Sequence, residues 1–411
     1  MSQQAAPGVV IVGAGHAGGT AAALLRQYGY EGAITLIGDE PIAPYQRPPL
    51  SKAWLKGEAD ADSLALKPLS FYAEARIDLV MGNAATAIDL TAKTVSLASG
   101  DAIPYAHLII ATGARARPLP LPGADLKGVL SLRSAADAEE LKAALRPGKR
   151  LAVIGGGYIG LEAAASARAL GADAVVLERE ERILARVAKE PLCSFFADYH
   201  TARGVVFETK VDVEGFEGAD GHVTAVKLSG DRTIPCDIAL VAVGLIRNDD
   251  IAKAAGLATN NGVVVDENAR ASDPAVFAIG DVAHRPMPHY DGRMFWLESV
   301  ANALEQARHA ASVITGRPPP AHEVTWNWSD QYDLKLQIAG MPFDVDATLV
   351  RGDPAQAKFA VFHLKGDVIQ AVEAVNAPAE FMAGRQLIGQ KKRVSLEKLA
   401  DPTVSMKEVA A

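Results

Sequence analysis

The chain has 411 residues, of which 49% are hydrophobic and 22% are charged. This is the composition of a globular protein with large buried cores, and the length predicts two to three domains of about 150 residues each. The net charge of −8 argues against nucleic acid as a partner. No apolar run approaches the roughly 18 residues that a membrane span requires, and the first residues lack the pattern of a signal peptide. We therefore expect a cytoplasmic protein that does not enter a membrane.

A strand followed by a glycine-rich turn is predicted at the start of the chain. Residues 9–12 are apolar and β-branched, and they lead directly into the motif G-x-G-x-x-G. Gly13 permits the tight turn, Gly15 allows phosphates to approach the backbone, and Gly18 allows the helix predicted over 17–28 to pack on the strand. The N-terminus of that helix then offers N–H groups and a positive dipole end to an anion.

The next predicted strand supports a dinucleotide site. It covers residues 33–37 and leads to Asp39, about 20 residues beyond Gly18, where an acid that binds ribose is expected. A glycine-rich turn without a ligand is the alternative for the motif alone, and the acid after the second strand favours the dinucleotide.

The same pattern occurs a second time. A strand predicted over 151–154 leads into the second G-x-G-x-x-G at 155–160, a helix follows over 161–170, and the strand predicted over 174–177 ends at Glu178. The strand over 237–243 that enters Gly244 likewise mirrors the strand over 107–111 that enters Gly113. Repetition of motif, acid and closing strand predicts two dinucleotide-binding domains.

The remaining segments predict connectors and a smaller domain. Adjacent prolines in segment 44–52 indicate a rigid connector, with Ser51 as a possible cap of a helix that begins near Lys52. A proline-rich linker is predicted over 115–122, a strand over 275–279 and a long helix over 298–315. After three prolines at 318–320, a hairpin over 358–375 and a helix over 379–390 predict a small α+β domain.

The chain has two cysteines, Cys193 and Cys236, which are far apart in the sequence. No close cysteine pair is present, so neither a disulfide framework nor a zinc site is expected. Both cysteines have apolar neighbours, which predicts buried and unreactive thiols.

Several motifs together resemble one family. They are Arg47-Pro48-Pro49-Leu50-Ser51-Lys52, Ala111-Thr112-Gly113, the second glycine motif with Leu161-Glu162, Gly280-Asp281, Glu298-Ser299-Val300 and Trp328-Ser329-Asp330-Gln331-Tyr332. The chain resembles, over essentially its whole length, the glutathione-reductase-like flavoproteins with two dinucleotide-binding domains. Within them it is similar to the ferredoxin reductases of the putidaredoxin reductase and rhodocoxin reductase type, which serve cytochrome P450 and other oxygenase systems.

The resemblance implies an α/β fold with two Rossmann-like domains, one for FAD and one for NAD, and a C-terminal α+β domain. The FAD-binding domain is expected in two parts, over 8–114 and 244–320. The NAD-binding domain is expected over 115–243. The C-terminal domain, over 321–411, is expected to cover the flavin and to help receive the iron–sulfur partner.

The resemblance also assigns residues to FAD. They are Gly13, Gly15, Ala17, Gly18, Asp39, Lys52, Ala85, Arg133, Asp281, Val300 and Trp328. Lys52 is expected beside the isoalloxazine ring and Glu162 near it from the nicotinamide side, as a partly buried catalytic pair, although each could instead be an ordinary surface charge. The N-terminus of the helix at Val300 is expected to stabilise the reduced flavin. A core indole is the alternative for Trp328.

A second set of residues is assigned to NAD. They are Gly155, Gly157, Tyr158, Ile159, Gly160, Glu178 and Gly244. The carboxylate of Glu178 is expected to bind the ribose hydroxyls and to repel a 2′-phosphate, which favours NADH. Arg179 and Arg182 oppose that preference because arginine can pair with such a phosphate, whereas Glu180 and Glu181 support it.

The absence of cysteine from segment 44–55 bears on the electron acceptor. Disulfide reductases and peroxidases of this superfamily place cysteine at the flavin, whereas this segment has none. We therefore predict an NADH:ferredoxin oxidoreductase that passes electrons singly from FAD to a [2Fe-2S] ferredoxin. A rubredoxin reductase, an NADH oxidase and a redox-controlled interaction protein like apoptosis-inducing factor are the alternatives.

Docking of an acidic ferredoxin requires local positive charge on this acidic chain. The candidate residues are Arg308, Arg385, Lys391, Lys392 and Arg393, although a basic run is also typical of a solvated face. The resemblance leaves open a monomer or a weak homodimer.

Overall fold

A computed structural model describes residues 7–410 and divides them into two compact units. The first unit contains residues 7–47, 61–115 and 246–327. The second contains residues 48–60, 116–245 and 328–410. Each unit is therefore built from separated segments of the chain, and the short segment 48–60 belongs to the second unit although the first unit flanks it in sequence.

The elements are numbered in chain order. The helices are α1 (His16–Gln27), α2 (Ala53–Lys56), α3 (Ala61–Leu64), α4 (Leu69–Glu74), α5 (Ala135–Ala144), α6 (Tyr158–Ala169), α7 (Leu192–Thr201), α8 (Asp250–Ala254), α9 (Val300–Ile314), α10 (Pro378–Gly389) and α11 (Leu396–Ala400). The strands are β1 (Gly8–Val12), β2 (Ile34–Ile37), β3 (Ile77–Val80), β4 (Ala85–Asp89), β5 (Thr94–Leu97), β6 (Ala102–Ile110), β7 (Ala114–Ala116), β8 (Val129–Leu130), β9 (Arg150–Ile154), β10 (Asp173–Glu178), β11 (Val205–Thr209), β12 (Val213–Ala219), β13 (His222–Leu228), β14 (Arg232–Pro235), β15 (Ile238–Val241), β16 (Leu245–Arg247), β17 (Val263–Val264), β18 (Val276–Ala278), β19 (Ala283–Met287), β20 (Arg293–Phe295), β21 (Trp326–Gln331), β22 (Leu334–Gly340), β23 (Ala347–Asp353), β24 (Lys358–Lys365) and β25 (Val368–Val375).

The first unit is organised around a sheet in which β3, β2, β1, β6 and β18 run parallel. Every residue of β1 is buried, because α1 and α9 pack on one face of the sheet while β4, β5 and residues between 252 and 283 pack on the other. Helix α1 packs against α9, and alanines on both helices allow the two to approach closely. The strand order reverses direction between β1 and β6, which is where doubly wound sheets bind their ligands.

The second unit repeats this arrangement in a five-stranded parallel sheet of order β11-β10-β9-β15-β8. Helix α6 follows β9 as α1 follows β1. Between β11 and β15, the chain forms a separate antiparallel sheet of β12, β13 and β14. The order again reverses at the first strand, between β9 and β15. The prediction of two Rossmann-like folds is confirmed.

The C-terminal segment of the second unit forms an antiparallel sheet of order β21-β22-β25-β24-β23. The predicted hairpin is confirmed, since β24 pairs with β25 around the turn at Gly366. The predicted helix over 379–390 is α10, which packs on β25. Together these elements form the predicted α+β structure.

The prediction for Ser51 was wrong. A 3-10 turn covers Pro48–Ser51, and the N-cap of the short helix α2 is Lys52. Ser51 lies inside the turn, buried, and its hydroxyl hydrogen-bonds to a carboxylate more than one hundred residues away instead of capping the helix. Sequence-local capping rules do not foresee a distant acceptor. Within residues 7–410, no helix is both long and apolar enough to cross a membrane.

Candidate functional site

The first glycine turn is open where a pyrophosphate would lie. A Cβ at Gly13 would stand 2.1 Å from the carbonyl oxygen of Ala111, and one at Gly18 would stand 1.9 Å from that of Gly13. Both positions therefore require glycine for packing. A Cβ at Gly15, in contrast, would meet its nearest atom, Nε of Arg47, at 4.0 Å. The open middle glycine and the N-terminus of α1, whose N-cap residue Gly15 has no side chain, fit a bound diphosphate.

The second glycine turn has the same geometry. A Cβ would stand 2.5 Å from the carbonyl oxygen of Ala242 at Gly155, and 2.3 Å from that of Gly155 at Gly160. At Gly157 it would meet no described atom within 4 Å, chain neighbours aside. In each turn, two glycines are required by close packing and the middle glycine leaves space for a phosphate. Two dinucleotide sites require this arrangement.

The two acidic residues after the second strands differ in their surroundings. Asp39 is exposed, and its Oδ1 accepts a hydrogen bond from the N–H of Glu40 at 3.1 Å. Glu178 is half-buried, and its carboxylate accepts from the N–H of Gly156 at 2.7 Å and from that of Glu180 at 2.9 Å. These bonds aim the Glu178 carboxylate at the second glycine turn. Ribose binding by either acid stays a prediction.

Two arginines near Glu178 have other partners. Arg182 donates to the carbonyl oxygen of Ala188 at 3.2 Å and to the thiol of Cys193. Arg179 is exposed and pairs with Glu180 at 3.3 Å. The objection that these arginines favour a 2′-phosphate is therefore weaker in the folded protein, because Arg182 is engaged on a buried thiol.

Lys52 and Glu162 form a buried ion pair in the second unit. The distance from Lys52 Nζ to Glu162 Oε2 is 2.7 Å, and the two side chains are only 16% and 5% exposed. Lys52 also donates to the carbonyl oxygen of Pro48 at 3.0 Å. The structure thus brings the two predicted catalytic residues together and rules out the alternative of two solvated surface charges. Their part in the chemistry stays a prediction.

Two serines complete this pair, and the sequence did not reveal their roles. Ser51 donates to Glu162 Oε2 at 2.5 Å, and Ser329 donates to Glu162 Oε1 at 2.6 Å. Both serines are buried. The oxygens of a buried carboxylate need such hydrogen-bond donors in place of water. Each serine lies in a motif noted above, but its sequence neighbours do not indicate that its hydroxyl reaches Glu162.

Several predicted FAD residues lie in the first unit. Asp281 follows β18 in a 3-10 turn, and the N–H of Gly280 in that turn donates to the buried Gln306 of α9 at 2.8 Å. Val300 is the first residue of α9, which Ser299 caps by accepting from the N–H of Asn302. Ala85 and Ala17 lie in β4 and α1. Gln306, which sequence analysis missed, holds the Gly280–Asp281 turn in place.

The other predicted residues lie in the second unit. Arg133 precedes α5 and its N–H donates to Asp137, the residue that completes the capping box of that helix. Trp328 is half-buried in β21. Ile159 is 41% exposed beside the open glycine turn, whereas burial raises the pKa of the Tyr158 hydroxyl well above its usual value. Gly244 follows β15 with a φ of +105°, which favours glycine.

Arg47 is a further residue of interest near the first glycine turn. Its guanidinium pairs with Glu40 at 2.7 Å, and the hydroxyl of Tyr45 donates to the same carboxylate at 2.8 Å. This arrangement holds a positive group close to the open side of Gly15. The motif that contains Arg47 was visible in the sequence, but its position beside the turn was not.

The two cysteines are free and buried. Burial raises the pKa of Cys193 to about 11 and that of Cys236 to about 11. The thiolate is the reactive form of cysteine, so both thiols are poor nucleophiles at neutral pH. The predicted burial of both thiols is confirmed, and their low reactivity stays a prediction.

Two buried residues of α9 and one half-buried residue beyond it have donor atoms of the types that bind metals. Glu305, His309 and His322 place such atoms within 4.8 Å of one another. Arg285, however, donates to both carboxylate oxygens of Glu305, at 3.1 and 3.2 Å, and is itself buried. This guanidinium already neutralises the carboxylate and would repel a cation, so we assign the cluster a structural role.

The predicted docking residues differ in their ion pairs and in their exposure. Arg308 pairs with Glu323 at 2.6 Å, and Arg393 pairs with Asp367 at 2.7 Å. Lys391 and Lys392 are exposed, and Arg385 is half-buried on α10. Lys391, Lys392 and Arg393 are thus all exposed in the segment immediately after α10.

Comparison with known proteins agrees with this geometry. Residues 7–371 match the family described as pyridine nucleotide-disulphide oxidoreductase. The chain is 53% identical over 402 residues to the probable ferredoxin reductase CtmF of Castellaniella defragrans, which covers 98% of both proteins. It is 42% identical over 399 residues to rhodocoxin reductase of Rhodococcus erythropolis, covering 97% of this chain and 93% of that protein. The crystal structure of the covalent putidaredoxin reductase–putidaredoxin complex matches with a TM-score of 0.96 and 41% identity, over 99% of this chain and 98% of that chain.

The chain belongs to the pyridine nucleotide-disulphide oxidoreductase family and, within it, to the ferredoxin reductases. Proteins of this family use FAD and NAD(P)H. The two open glycine turns fit two such nucleotides, one in each unit. The family name refers to disulfide chemistry, but the segment 44–55 has no cysteine and both thiols of the chain are buried.

Proposed function

We propose that the protein is an NADH:ferredoxin oxidoreductase. It takes two electrons from NADH into FAD and delivers them singly to a [2Fe-2S] ferredoxin that supplies a cytochrome P450 or another oxygenase. The names of the relatives, which include a probable ferredoxin reductase and rhodocoxin reductase, support this proposal. So does the match to a structure of putidaredoxin reductase bound to putidaredoxin.

One observation carries the choice of acceptor: two nucleotide cradles occur in a chain whose two thiols are both buried, and burial raises the pKa of each to about 11. A disulfide reductase needs a reactive cysteine to take electrons from the flavin. Since this chain has none, the electrons leave to an external acceptor. FAD supplies the conversion from hydride to single electrons when bound.

The contributions of the protein are binding, orientation and charge. Gly13, Gly15 and Gly18 hold the FAD diphosphate, and Gly155, Gly157 and Gly160 hold that of NADH. The Lys52–Glu162 pair places a fixed ammonium and carboxylate in a buried setting, where charges act more strongly than in water. Hydride transfer needs no proton from the protein, so positioning and electrostatics account for its role.

We infer that NADH is preferred over NADPH. The Glu178 carboxylate is fixed at the second glycine turn by two backbone N–H groups. An added 2′-phosphate would face this negative charge, and Arg182 is held by Cys193 and Ala188. Repulsion by Glu178 is therefore not offset by Arg182.

Different segments of the chain serve the two nucleotides and the ferredoxin. Residues 8–114 and 244–320 bind FAD, residues 115–243 bind NADH, and residues 321–411 contribute to receiving the ferredoxin. Docking uses Lys391, Lys392 and Arg393, with Arg308 and Arg385. The protein acts in the cytoplasm as a monomer or weak homodimer.

The test combines the purified flavoprotein, NADH and a candidate [2Fe-2S] ferredoxin, with cytochrome c as the final acceptor. We expect cytochrome c reduction to depend on the ferredoxin, and the reduced flavin to reoxidise slowly in air. Rapid reoxidation by oxygen without ferredoxin would identify an NADH oxidase instead. Preference for a rubredoxin over every [2Fe-2S] ferredoxin tried would identify a rubredoxin reductase.

A further inference from the structure

Within the second unit, a row of buried polar side chains extends from the Lys52–Glu162 pair. Ser329 accepts a hydrogen bond from Gln331 Nε2 at 3.0 Å, and Gln331 Oε1 lies 2.7 Å from Nε2 of His200. Ser329 and Gln331 are each 1% exposed and His200 is 0% exposed. The row therefore links helix α6, which carries Glu162, to strand β21 and helix α7 without contact with water.

The ionised carboxylate at one end determines the direction of every hydrogen bond in this row. A carboxylate can only accept, so Ser329 donates its one proton to Glu162. Ser329 must then accept from the amide N–H of Gln331, which turns the amide oxygen of Gln331 toward His200. That oxygen needs a donor, so the proton of the neutral imidazole lies on Nε2.

The opposite nitrogen of His200 agrees with this assignment. Nδ1 of His200 lies 3.4 Å from the hydroxyl of Tyr332, which can donate to it. Burial lowers the pKa of His200 to about 4, so the imidazole is neutral at physiological pH and has one N–H to give. Each hydrogen bond in the row thus has one group that donates and one that accepts.

The fold gains little stability from such a row, which indicates a role other than stability. Buried polar groups stabilise a fold less well than apolar groups of the same size, and a partly satisfied network is worse than none. Here the row begins at Glu162 Oε1, which accepts from Ser329, while Oε2 accepts from Lys52 and Ser51. The row therefore favours one rotamer of the residue that holds Lys52.

We propose that Ser329, Gln331 and His200 are positioning residues that orient the Glu162 carboxylate and, through it, fix the ammonium of Lys52. This inference rests on the proposed function in one respect, namely that the Lys52–Glu162 pair serves flavin reduction. The hydrogen-bond direction itself does not depend on which acceptor the enzyme reduces.

The first test reads the tautomer of His200 in the oxidised holoprotein. Histidine is labelled with ¹⁵N, the His200 signals are assigned with His200→Gln, and the two ring nitrogens are distinguished by their ¹⁵N shifts. We expect the Nε2–H tautomer in the wild type. In Glu162→Gln the amide can donate as well as accept, so the direction is lost and we expect mixed tautomers at His200.

The second test measures flavin reduction by NADH in a stopped-flow instrument. Ser329→Ala should lower the rate at saturating NADH about tenfold, since it removes a hydrogen bond to a charged group, while the KM for NADH changes less than twofold. Ser329→Ala should also mix the His200 tautomers, because nothing then orients the Gln331 amide, whereas Ser329→Thr retains the hydroxyl and should keep the rate and the Nε2–H tautomer. His363→Gln removes another buried histidine, bonded to Glu373 at 2.8 Å, and serves as the matched control that leaves the His200 signal unchanged.

The outcomes separate this inference from the proposed function. A wild-type His200 in the Nδ1–H form would overturn the inference, as would an unchanged His200 signal in Glu162→Gln. An unchanged reduction rate in Ser329→Ala would overturn the positioning role. Failure to reduce any ferredoxin would instead contradict the proposed function and would leave the tautomer result intact.

Discussion

Lys52 and Glu162 are 110 positions apart in the sequence, yet Lys52 Nζ lies 2.7 Å from Glu162 Oε2. Segment 48–60 belongs to the second unit, which is why the lysine reaches helix α6. Neither charge has much contact with water, so each depends on the other and on the hydroxyls of Ser51 and Ser329.

Breaking this pair should destabilise the protein more than removing both members. Lys52→Met leaves a buried carboxylate without its cation, and Glu162→Gln leaves a buried ammonium without its anion, each at a cost of about 3–5 kcal/mol in the free energy of unfolding. The double variant should lose less than the sum of the two single losses. Urea unfolding of all four proteins measures the coupling, and additive losses would contradict it.

The open and closed glycines should respond differently to alanine. Gly157→Ala adds a Cβ that meets no described atom within 4 Å other than its chain neighbours, so the protein should fold and retain FAD. The methyl group would occupy space proposed for the NADH diphosphate, so the KM for NADH should rise at least about tenfold. Gly160→Ala is the comparison, because its Cβ would stand 2.3 Å from a carbonyl oxygen and should reduce the yield of folded protein. An unchanged KM in Gly157→Ala would place the nucleotide elsewhere.

Glu178 should determine the choice of coenzyme. Glu178→Gln removes the charge while it retains an oxygen that can accept from Gly156, so the preference for NADH over NADPH in kcat/KM should fall about 10–100-fold. Steady-state kinetics with both coenzymes measure the ratio. Glu217→Gln, at an exposed residue of β12, is the control and should leave the ratio within about twofold.

Stability should decrease in mild acid because of two buried histidines. Burial lowers the pKa of His200 and of His309 to about 4. The unfolded chain binds these protons near pH 6.5, whereas the folded protein does not until about pH 4. The contribution is therefore complete above pH 6.5 and is lost as the pH falls toward 4, by up to about 3 kcal/mol for each histidine.

Urea unfolding at several pH values between 4.5 and 7 measures this slope. His309→Gln and His200→Gln should each flatten it. His222→Gln changes an exposed histidine and should not. A slope that is the same in all three variants would show that other groups control the acid response.

The exposed lysines after α10 should affect only the ferredoxin step. Lys391→Glu with Lys392→Glu should raise the apparent KM for ferredoxin about tenfold at low salt, and the effect should diminish as salt increases. NADH–ferricyanide turnover should stay unchanged and thus shows that flavin reduction is intact. Arg393→Ala should have a smaller effect, because Asp367 already pairs with that charge. Unaltered ferredoxin kinetics would remove these lysines from the docking surface.

The sequence alone determined the repeated architecture, because glycine motifs, apolar strands and the acids after them are local patterns with local causes. Gly13 and Gly155 must be glycine for their own turns, and the strands around them are buried whatever their partners, so β1, β2, β9, β10 and the hairpin of β24 and β25 were predictable. The burial of Cys193 and Cys236 also followed from their apolar neighbours.

Only the tertiary structure decided which polar groups meet. Ser51 has the sequence context of a helix cap, but folding buries it against Glu162, and no local rule foresees an acceptor on another element. Nor does the sequence show that Ser329, Gln331 and His200 form one row, or that Cys193 engages Arg182. The physical reason is that a buried donor is satisfied by whichever acceptor the packed fold brings within about 3 Å, and sequence distance does not affect that choice.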